Sequence, residues 1–363
     1  MGGGIVVAPF VFDGVQAKLA EAAGFDAVYM TGFGTAASHG LPDMGMIGLG
    51  EMSANAARVA ASVNVPVIAD ADTGYGNERN VAQTVERYEQ AGVAALHIED
   101  QEWPKRCGFL EGKRVIPREE MVLKVKAAVA ARTDPGLVII GRTDALQPNG
   151  WDDAIARARA YHEAGADLVF IDGLKDRDAV EQAASNLRDV PQLLNSWLVT
   201  PAEAEAMGFA VYIHVGVMLR HFADFRASLA ELRDTGAVTL APGDERVEPI
   251  TRLLSGGFDA IARARAYHEA GADMVFVDGL KDRAAVERAA EALRGIPQLL
   301  NSWLVTPAEA EAMGFALYIH VGVMLRHFAD FRASLAELRD TGAVTLAPGD
   351  ERVEPITRLL SGE

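Results

Sequence analysis

Residues 67–76 of the chain read VIADADTGYG, a short apolar run followed by two aspartates and a glycine-rich turn. Branched apolar residues favour a buried strand, and the polar residues mark the point where that strand ends. Asp70 and Asp72 are two residues apart, so their carboxylates point the same way on extended backbone. The stretch therefore predicts a strand that delivers two acids to one place.

Similar apolar runs alternate with helical patterns through the first 256 residues. The alternation indicates βα units and a parallel sheet. The predicted strands are residues 5–9, 27–30, 65–69, 94–98, 137–141, 168–171, 192–194 and 210–213. Eight strand–helix pairs fit a closed (β/α)8 barrel, a TIM-type α/β fold, and a doubly wound sheet is the alternative.

Residues 153–256 recur as residues 259–362, at an offset of 106 and with nine differences in 104 positions. Two copies of this length do not make a solenoid. We expect residues 1–257 to form the catalytic barrel, completed by residues 153–256. Residues 258–363 are then an appended duplicate of 152–257, with strands at 274–277, 298–300 and 316–319. Three parallel strands cannot close and expose an edge. The alternative loops out the first copy and closes the barrel with the second.

Composition excludes several classes of protein. The net charge of −17 argues against a nucleic-acid surface, which is normally basic. No apolar run approaches the roughly 20 residues that a membrane span needs, and the first residues lack the basic region of a signal peptide. The single cysteine fits a reducing compartment. We expect a cytoplasmic protein whose small anionic substrate is attracted by a metal or local positive charge.

Acidic residues follow two neighbouring predicted strands. Glu99 ends the fourth strand, beside Asp70 and Asp72 at the end of the third. Strand ends face the active site of a barrel, so the three acids form a cluster that needs a cation. Oxygen ligands alone favour Mg²⁺, with Mn²⁺ as the alternative, over zinc. One or two of these acids could instead cap the helices that follow.

Other strand ends supply groups suited to an anionic substrate. Residues 31–34, which include Thr31, Gly32 and Phe33, form a turn whose backbone N–H groups can bind an anion. The guanidinium group of Arg142 can bind a substrate carboxylate through two parallel hydrogen bonds. The alternative is that Arg142 pairs with Asp144. The remaining candidates for substrate binding at strand ends are Tyr29, Asp172 and Asn195.

Cys107 lies on a loop between cationic residues. Neighbouring cations favour the thiolate, and a glycine-containing loop can close over a site. The alternative is a buried, inert cysteine. We predict a catalytic role for Cys107, together with Glu99 and Arg142.

At these residues the chain resembles the isocitrate lyase/phosphoenolpyruvate mutase superfamily. The resemblance covers residues 5–256 and is much less specific for one member, which we expect to be similar to the methylisocitrate and dimethylmalate lyases or to the carboxyphosphonoenolpyruvate mutase type. The matching segments are 30–34 (MTGFG), 40–43 (GLPD), 69–76 (ADADTGYG), 97–101 (HIEDQ), 105–108 (KRCG), 111–113 (EGK) and 142–145 (RTDA).

The resemblance implies a Mg²⁺ ion reached by four acids, the fourth being Asp43 beside Asp70, Asp72 and Glu99. It further implies an enolate of a 2-oxo acid bound to that metal and to the Thr31 turn. Arg142 would hold a carboxylate and Cys107 would transfer a proton. The family's last helix commonly swaps between subunits, which implies a homo-oligomer.

The sequence departs from the family pattern at three places. Phe109 stands where the lyase loop has a histidine, and Asp172 stands where a glutamate is usual. A substrate-contacting loop after Asn195 is missing. The half of the site that binds metal and enolate is therefore intact, whereas the half that selects the substrate is altered.

The leading hypothesis is a Mg²⁺-dependent carbon–carbon lyase acting on a small 2-hydroxy or 2-oxo di- or tricarboxylate. Rivals on the same scaffold are an oxaloacetate hydrolase or decarboxylase and a phosphonate-forming mutase. A rival of another class is a barrel that has lost catalysis and serves as a binding or assembly module.

Overall fold

The computed structural model describes residues 4–108, 110–239, 260–269, 271–320 and 322–346. Phe109 and the predicted boundary at residue 257 lie outside these ranges, so the boundary remains a prediction. The chain divides into two compact units, the first comprising Met1–Arg220 with Arg332–Glu363 and the second His221–Phe331.

The first unit contains an eight-stranded parallel sheet in the order β6-β5-β4-β3-β2-β1-β8-β7. A parallel bridge between Val169 and Gln192 brings β6 to β7, so the sheet is a nearly closed barrel. Its strands are β1 (Val6–Val11), β2 (Val28–Met30), β3 (Val67–Asp70), β4 (Ala95–Glu99), β5 (Val138–Thr143), β6 (Leu168–Ile171), β7 (Leu193–Asn195) and β8 (Val211–His214). The predicted barrel fold is confirmed, and strands from residues 168–214 form part of it.

Helices follow the strands around the barrel. They are α1 (Gly14–Ala22), α2 (Gly32–Ser38), α3 (Leu49–Ser62), α4 (Glu78–Gln90), α5 (Arg118–Ala131), α6 (Leu146–Asn149), α7 (Trp151–Glu163), α8 (Arg177–Asn186), α9 (Pro201–Met207) and the start of α10 (Gly216–Thr235), whose residues from His221 on belong to the second unit. Residue types explain several of the boundaries. Thr200 and Glu203 form a capping box around Pro201 at the start of α9, and Gly208 ends that helix in the left-handed conformation.

Strand limits differ from the sequence prediction by a few residues. β1 runs on to Val11 because Phe10 and Val11 pair with Tyr29 and Met30 of β2. β7 begins and ends one residue later than predicted. Hydrogen bonds to neighbouring strands set these limits, and local residue preference does not specify them.

A buried carboxylate ties the barrel's strands to its helices. Asp100, which follows β4, accepts hydrogen bonds from Thr143 Oγ1 at 2.7 Å and the Asp144 N–H at 2.8 Å. Tyr161 Oη and Arg157 Nη1 of α7 donate to it at 2.6 and 3.2 Å. Since a buried charge is tolerated only when paired and hydrogen-bonded, these donors hold the end of β5 in place.

The second unit contains a separate three-stranded parallel sheet in the order β11-β10-β9. Its elements are α11 (Ala260–Glu269), β9 (Val275–Phe276), α12 (Arg283–Ala292), β10 (Gln298–Asn301), α13 (Pro307–Ala312), β11 (Leu317–Ile319) and the first part of α14 (Gly322–Thr341). Leu300 of β10 packs in a core with Val286 of α12 and Ala310 of α13. Phe276, Leu317 and Ile319 are exposed, as expected of a sheet with too few strands to close.

Within the described part of the chain, every helix is too short or too polar to cross a bilayer.

The repeat offers a matched test of the Asp100 network. Tyr161→Phe removes one buried donor and should lower the free energy of unfolding of the barrel by about 1–3 kcal/mol. Tyr267 occupies the equivalent position 106 residues later but is exposed. Tyr267→Phe should leave the urea-unfolding midpoint unchanged, and equal effects of the two variants would contradict the assignment.

Candidate active site

Charged side chains gather at the carboxyl ends of β3 to β6. Asp70 is the last residue of β3 and pairs in register with His97 of β4. Glu99 ends β4 and pairs in register with Arg142 of β5. Asp172 directly follows β6 and is buried. Parallel strands bring these residues together because all their carboxyl ends lie at the same rim.

Asp70 organises the turn that follows β2. Its Oδ2 accepts from the Gly32 N–H at 3.1 Å and its Oδ1 accepts from the Asp72 N–H at 2.9 Å. A Cβ at position 32 would lie 2.6 Å from Asp70 Oδ2, so only glycine permits this approach. Thr31 caps α2, accepting from the Gly34 N–H at 3.4 Å. The Gly32 N–H that was expected to bind an anion is therefore bonded to Asp70.

Lys105 lies between two of the predicted metal ligands. Its Nζ is 2.7 Å from Asp72 Oδ1 and forms a shorter ion pair with Asp43 Oδ1. All three side chains are buried. The ammonium group thus supplies a positive charge at the point where the sequence predicted a cation.

Burial sets the pKa of Asp72. Desolvation is the largest cause that raises this pKa, Lys105 opposes it, and the carboxylates of Asp70 and Asp43 add to the rise, so that the pKa is about 6. Two carboxylates near a third are costly to ionise together, which is the electrostatic reason for a cation here.

A second charge network surrounds Arg142. Its Nε and Nη2 bind Asp144 Oδ2 and Oδ1 at 2.9 and 3.0 Å, so the pairing with Asp144 left open by the sequence is present. Its Nη2 is also 3.2 Å from Asp172 Oδ2, and its Nη1 is 3.3 Å from Glu99 Oε2. A substrate carboxylate would have to share this guanidinium with Glu99 or Asp172.

Lys113 joins the same network from the loop after β4. Its Nζ donates to Asp144 Oδ1 at 2.9 Å and to Asp172 Oδ2 at 3.0 Å. Burial alone would raise the pKa of Asp144, but Arg142 and Lys113 hold it well below its usual value. Asp144 is therefore a fixed anion that positions two cations.

Glu99 differs from Asp144 in having an unsatisfied oxygen. Its Oε1 is buried and has no hydrogen-bond partner among the described residues. Desolvation raises the pKa of Glu99 well above its usual value, although Arg142 opposes this effect. This oxygen can accept a proton or a cation.

The loop that carries Cys107 lies against the Arg142 network. Cys107 is buried, and the carbonyl of Gly108 accepts from Lys113 Nζ at 2.9 Å. A Cβ on Gly108 would lie 2.5 Å from Asp172 Oδ2, so the backbone approaches the carboxylate closely. The loop is thus packed onto the candidate site.

The other predicted substrate-binding residues lie in different surroundings. Tyr29 Oη is 2.7 Å from His97 Nε2 and donates to Asp70 Oδ2 at 3.5 Å. Phe33 is buried in α2. Asn195 ends β7, and its Oδ1 is buried without a hydrogen-bond partner in the described ranges.

Four residues that shape the site were not among the predicted site residues, although Asp144 was considered as a partner of Arg142; they are His97, Lys105, Lys113 and Asp144. Burial lowers the pKa of His97 to about 4, so its ring is neutral near pH 7. All four lie in the segments that carry the family resemblance, and the two lysines were noted there only as neighbours of Cys107. The sequence offered two signals for these residues, namely the charge of the lysines and the position of His97 and Asp144 near strand ends.

The donor set fits a hard divalent cation in its chemistry. Apart from the Asp100–Arg157 pair, the described part of this rim has six buried carboxylates and three buried cations, and every candidate ligand supplies oxygen. The acids are Asp43, Asp70, Asp72, Glu99, Asp144 and Asp172, and the cations are Lys105, Lys113 and Arg142. Within the described ranges, however, no three acidic, histidine or cysteine side chains converge on one point. The residues that could hold such a cation are Asp43, Asp70, Asp72 and Glu99, and they would have to come closer together to do so.

Comparison with known proteins shows which family the chain belongs to. The chain matches the family described as phosphoenolpyruvate phosphomutase over residues 1–233 and 246–339. It is 44% identical over 216 residues to 2,3-dimethylmalate lyase of Eubacterium barkeri, covering 58% of this chain and 75% of that protein.

Solved structures agree with the family match. Oxaloacetate acetylhydrolase in complex with 3,3-difluorooxalacetate is 40% identical with a TM-score of 0.64, covering 69% of this chain and 87% of that one. Phosphonopyruvate hydrolase in complex with oxalate and Mg²⁺ is 28% identical with a TM-score of 0.61, covering 74% and 94% respectively. As the sequence resemblance implied, the chain is an enzyme that belongs to the phosphoenolpyruvate phosphomutase family.

Proposed function

We propose that this enzyme cleaves a carbon–carbon bond in a small 2-hydroxy di- or tricarboxylate, such as a substituted malate or a citrate-like acid, with Mg²⁺ as cofactor. The observation that carries the proposal is the buried excess of carboxylates at the ends of β3 to β6, beside a buried cysteine. The similarity to 2,3-dimethylmalate lyase supports the reaction type.

The proposed cofactor is Mg²⁺, with Mn²⁺ as the alternative. Asp43, Asp70, Asp72 and Glu99 would hold it. When bound, the ion would offset the charge of these acids and withdraw electrons from substrate oxygens. The Mg²⁺ complex of phosphonopyruvate hydrolase supports this choice.

Cleavage of such a substrate moves one proton off oxygen and one proton onto carbon. The 2-hydroxyl loses its proton, the C2–C3 bond breaks, and C2 becomes the carbonyl carbon of a 2-oxo acid. The electron pair of the broken bond stays on C3, which must gain a proton. The proton donor therefore acts on the carboxylate fragment and not on the 2-oxo acid enolate expected from the resemblance.

Two residues suit these proton transfers. Glu99 Oε1 is buried without a partner among the described residues, and it is the proposed acceptor of the hydroxyl proton. Cys107 is the proposed donor to C3, since its loop lies against Asp172 and Arg142. Arg142 is proposed to bind a substrate carboxylate through Nη1 and Nη2, the two nitrogens that contact Glu99 and Asp172.

The specific rival is hydrolysis of oxaloacetate, which the similarity to oxaloacetate acetylhydrolase favours. A screen of small 2-oxo and 2-hydroxy di- and tricarboxylates with Mg²⁺ separates the two reactions. The lyase proposal expects a 2-oxo acid from a substituted malate or citrate-like acid, and no turnover in EDTA. Release of oxalate from oxaloacetate, with no cleavage of the other acids, would overturn it.

The role of Cys107 can be tested on the active substrate. Cys107→Ser replaces a thiol by a much weaker acid, and turnover should fall by about 100- to 10,000-fold. Circular dichroism should be unchanged, and Tyr267→Phe serves as an unaffected control. Unaltered turnover of Cys107→Ser would remove the cysteine from the reaction.

The repeat gives a matched control for Asp172. Asp172→Asn weakens the contacts with Lys113 and Arg142 and should lower kcat/KM at least about tenfold, because a misplaced cation costs catalytic orientation. Asp278, the equivalent residue in the second unit, is exposed, and Asp278→Asn should retain full activity. Equal losses in both variants would indicate a general effect on folding.

The raised pKa of Asp72 predicts a pH dependence of stability in EDTA. A carboxyl whose folded pKa lies above its unfolded pKa stabilises the fold at low pH and loses that contribution as pH rises through the folded value. With a folded pKa of about 6, the loss falls between about pH 4 and 7 and amounts to at most about 3 kcal/mol. Urea unfolding of Asp72→Asn should lack this decline, and a pH profile identical to that of the wild type would contradict it.

A further inference from the structure

The turn that follows β3 has a strained backbone. Asp72 and Tyr75 have φ angles of +46° and +57°, and they are the two non-glycine residues of the described structure in the left-handed region. Residues other than glycine rarely adopt this region, because the Cβ atom comes too close to the backbone. Such residues persist only where their surroundings hold them, and they concentrate at functional sites.

The left-handed turn directs the Asp72 carboxylate. β3 ends at Asp70, so Asp72 lies beyond the strand, and the alternation of an extended backbone no longer decides where its side chain points. The Asp72 N–H donates to Asp70 Oδ1 at 2.9 Å, and the Asp72 carbonyl accepts from the Glu99 N–H at 2.8 Å. A change of the backbone at residue 72 therefore moves one proposed metal ligand relative to the other two.

Side chains of α4 hold the two ends of this turn. Tyr88 Oη donates to the Asp70 carbonyl at 2.8 Å, and Thr84 Oγ1 donates to the Gly74 carbonyl at 3.2 Å. Both donors are buried. Because an unpaired buried carbonyl costs free energy, these bonds stabilise the path that the main chain takes before and after the strained residue.

Lys124 of α5 holds the middle of the turn. Its Nζ donates at 3.2 Å to the carbonyl of Thr73, the residue directly after Asp72, and its side chain is buried. Burial lowers the pKa of Lys124, although the carboxylates of Glu120 and Asp100 oppose this effect. A buried ammonium group costs free energy that an apolar side chain of the same length would avoid. Packing alone therefore does not account for a lysine at this position.

We propose that Lys124 is a positioning residue for the metal site, and that its ammonium group, by binding the Thr73 carbonyl, holds Asp72 in the left-handed conformation that directs its carboxylate into the site. In this role Lys124 acts through the backbone of the turn and not by contact with the metal or the substrate. A hydrogen bond from an ionised donor is roughly twice as strong as a neutral one, which suits Lys124 to holding a strained backbone. The inference rests on the proposed function, which makes Asp72 a ligand of Mg²⁺.

Hydrogen exchange of the metal-free enzyme tests whether Lys124 holds the turn. Lys124→Met keeps the length of the side chain and removes the ammonium group. Deuterium uptake by the peptide that contains residues 71–76 should become at least about fivefold faster, because the turn opens more readily without this bond. Lys126→Met, which changes an exposed lysine of the same helix, should leave that uptake unchanged. Unchanged uptake in Lys124→Met, or equal acceleration throughout the first unit, would overturn the proposal.

Calorimetric titration with Mg²⁺ tests whether the turn positions a metal ligand. Lys124→Met should raise the Kd for Mg²⁺ by about 10- to 100-fold, the usual effect of losing a residue that orients a metal ligand. Val180→Ala removes two buried methyl groups of α8, and it should lower the Tm while leaving this Kd unchanged. An equal rise of the Kd in both variants would overturn the proposal, because general destabilisation would then explain the effect.

Lys124→Gln extends the test to a side chain that stays polar. It replaces the ammonium group by a neutral amide, and it should give the same two changes if Lys124→Met does not fold. A wild-type enzyme that fails to bind Mg²⁺ would overturn the proposed function and this inference together. Wild-type affinity for Mg²⁺ in the folded Lys124 variants, with the wild type binding the ion, would overturn the inference alone.

Discussion

In the described structure, buried carboxylates outnumber buried cations at the rim near the ends of β3 to β6, and the rest of the structure depends on balancing these charges. Arg142 and Lys113 satisfy Asp144 and Asp172, while Lys105 lies between Asp43 and Asp72. A buried charge without a partner costs several kcal/mol, so the strands must hold these groups within hydrogen-bonding distance. The same requirement explains why the buried Asp100 is hydrogen-bonded: its carboxylate accepts from the backbone N–H of Asp144.

Not all buried charges at the rim are paired, and the unpaired groups suit the rim to binding a cation or exchanging a proton. Glu99 keeps an oxygen without a described partner, and burial raises the pKa of Asp72 to about 6. Groups held in this way bind a divalent cation or exchange protons more readily than surface carboxylates do. Stability and function thus draw on the same buried charges.

The sequence alone predicted the barrel and the collection of acids at strand ends, because both follow from the period of apolar residues. It did not predict that Lys105 would reach Asp43 from a loop 62 residues away, or that the Gly32 N–H would bind Asp70. Side-chain partners across a barrel depend on register and loop path, which local patterns do not encode. For the same reason, the sequence could not decide whether Arg142 pairs with Asp144 or binds a substrate carboxylate.

The repeat marks a further limit of sequence reasoning. α10 and α14 are identical, so no residue preference can decide which of them covers the barrel. Their surroundings decide, since Leu335 of α14 is buried whereas the equivalent Leu229 of α10 is exposed. The first copy contributes β6 to β8 to the barrel.

The central claim is that the rim acids of the barrel form one site for a divalent cation, and that the second copy forms none. Calorimetric titration of the metal-free enzyme with Mg²⁺ tests this most directly, with Asp70→Asn as the comparison. The account predicts one Mg²⁺ ion per chain for the wild type and no measurable binding for Asp70→Asn at the same concentrations. Absence of binding to the wild type, or undiminished binding to the variant, would contradict it.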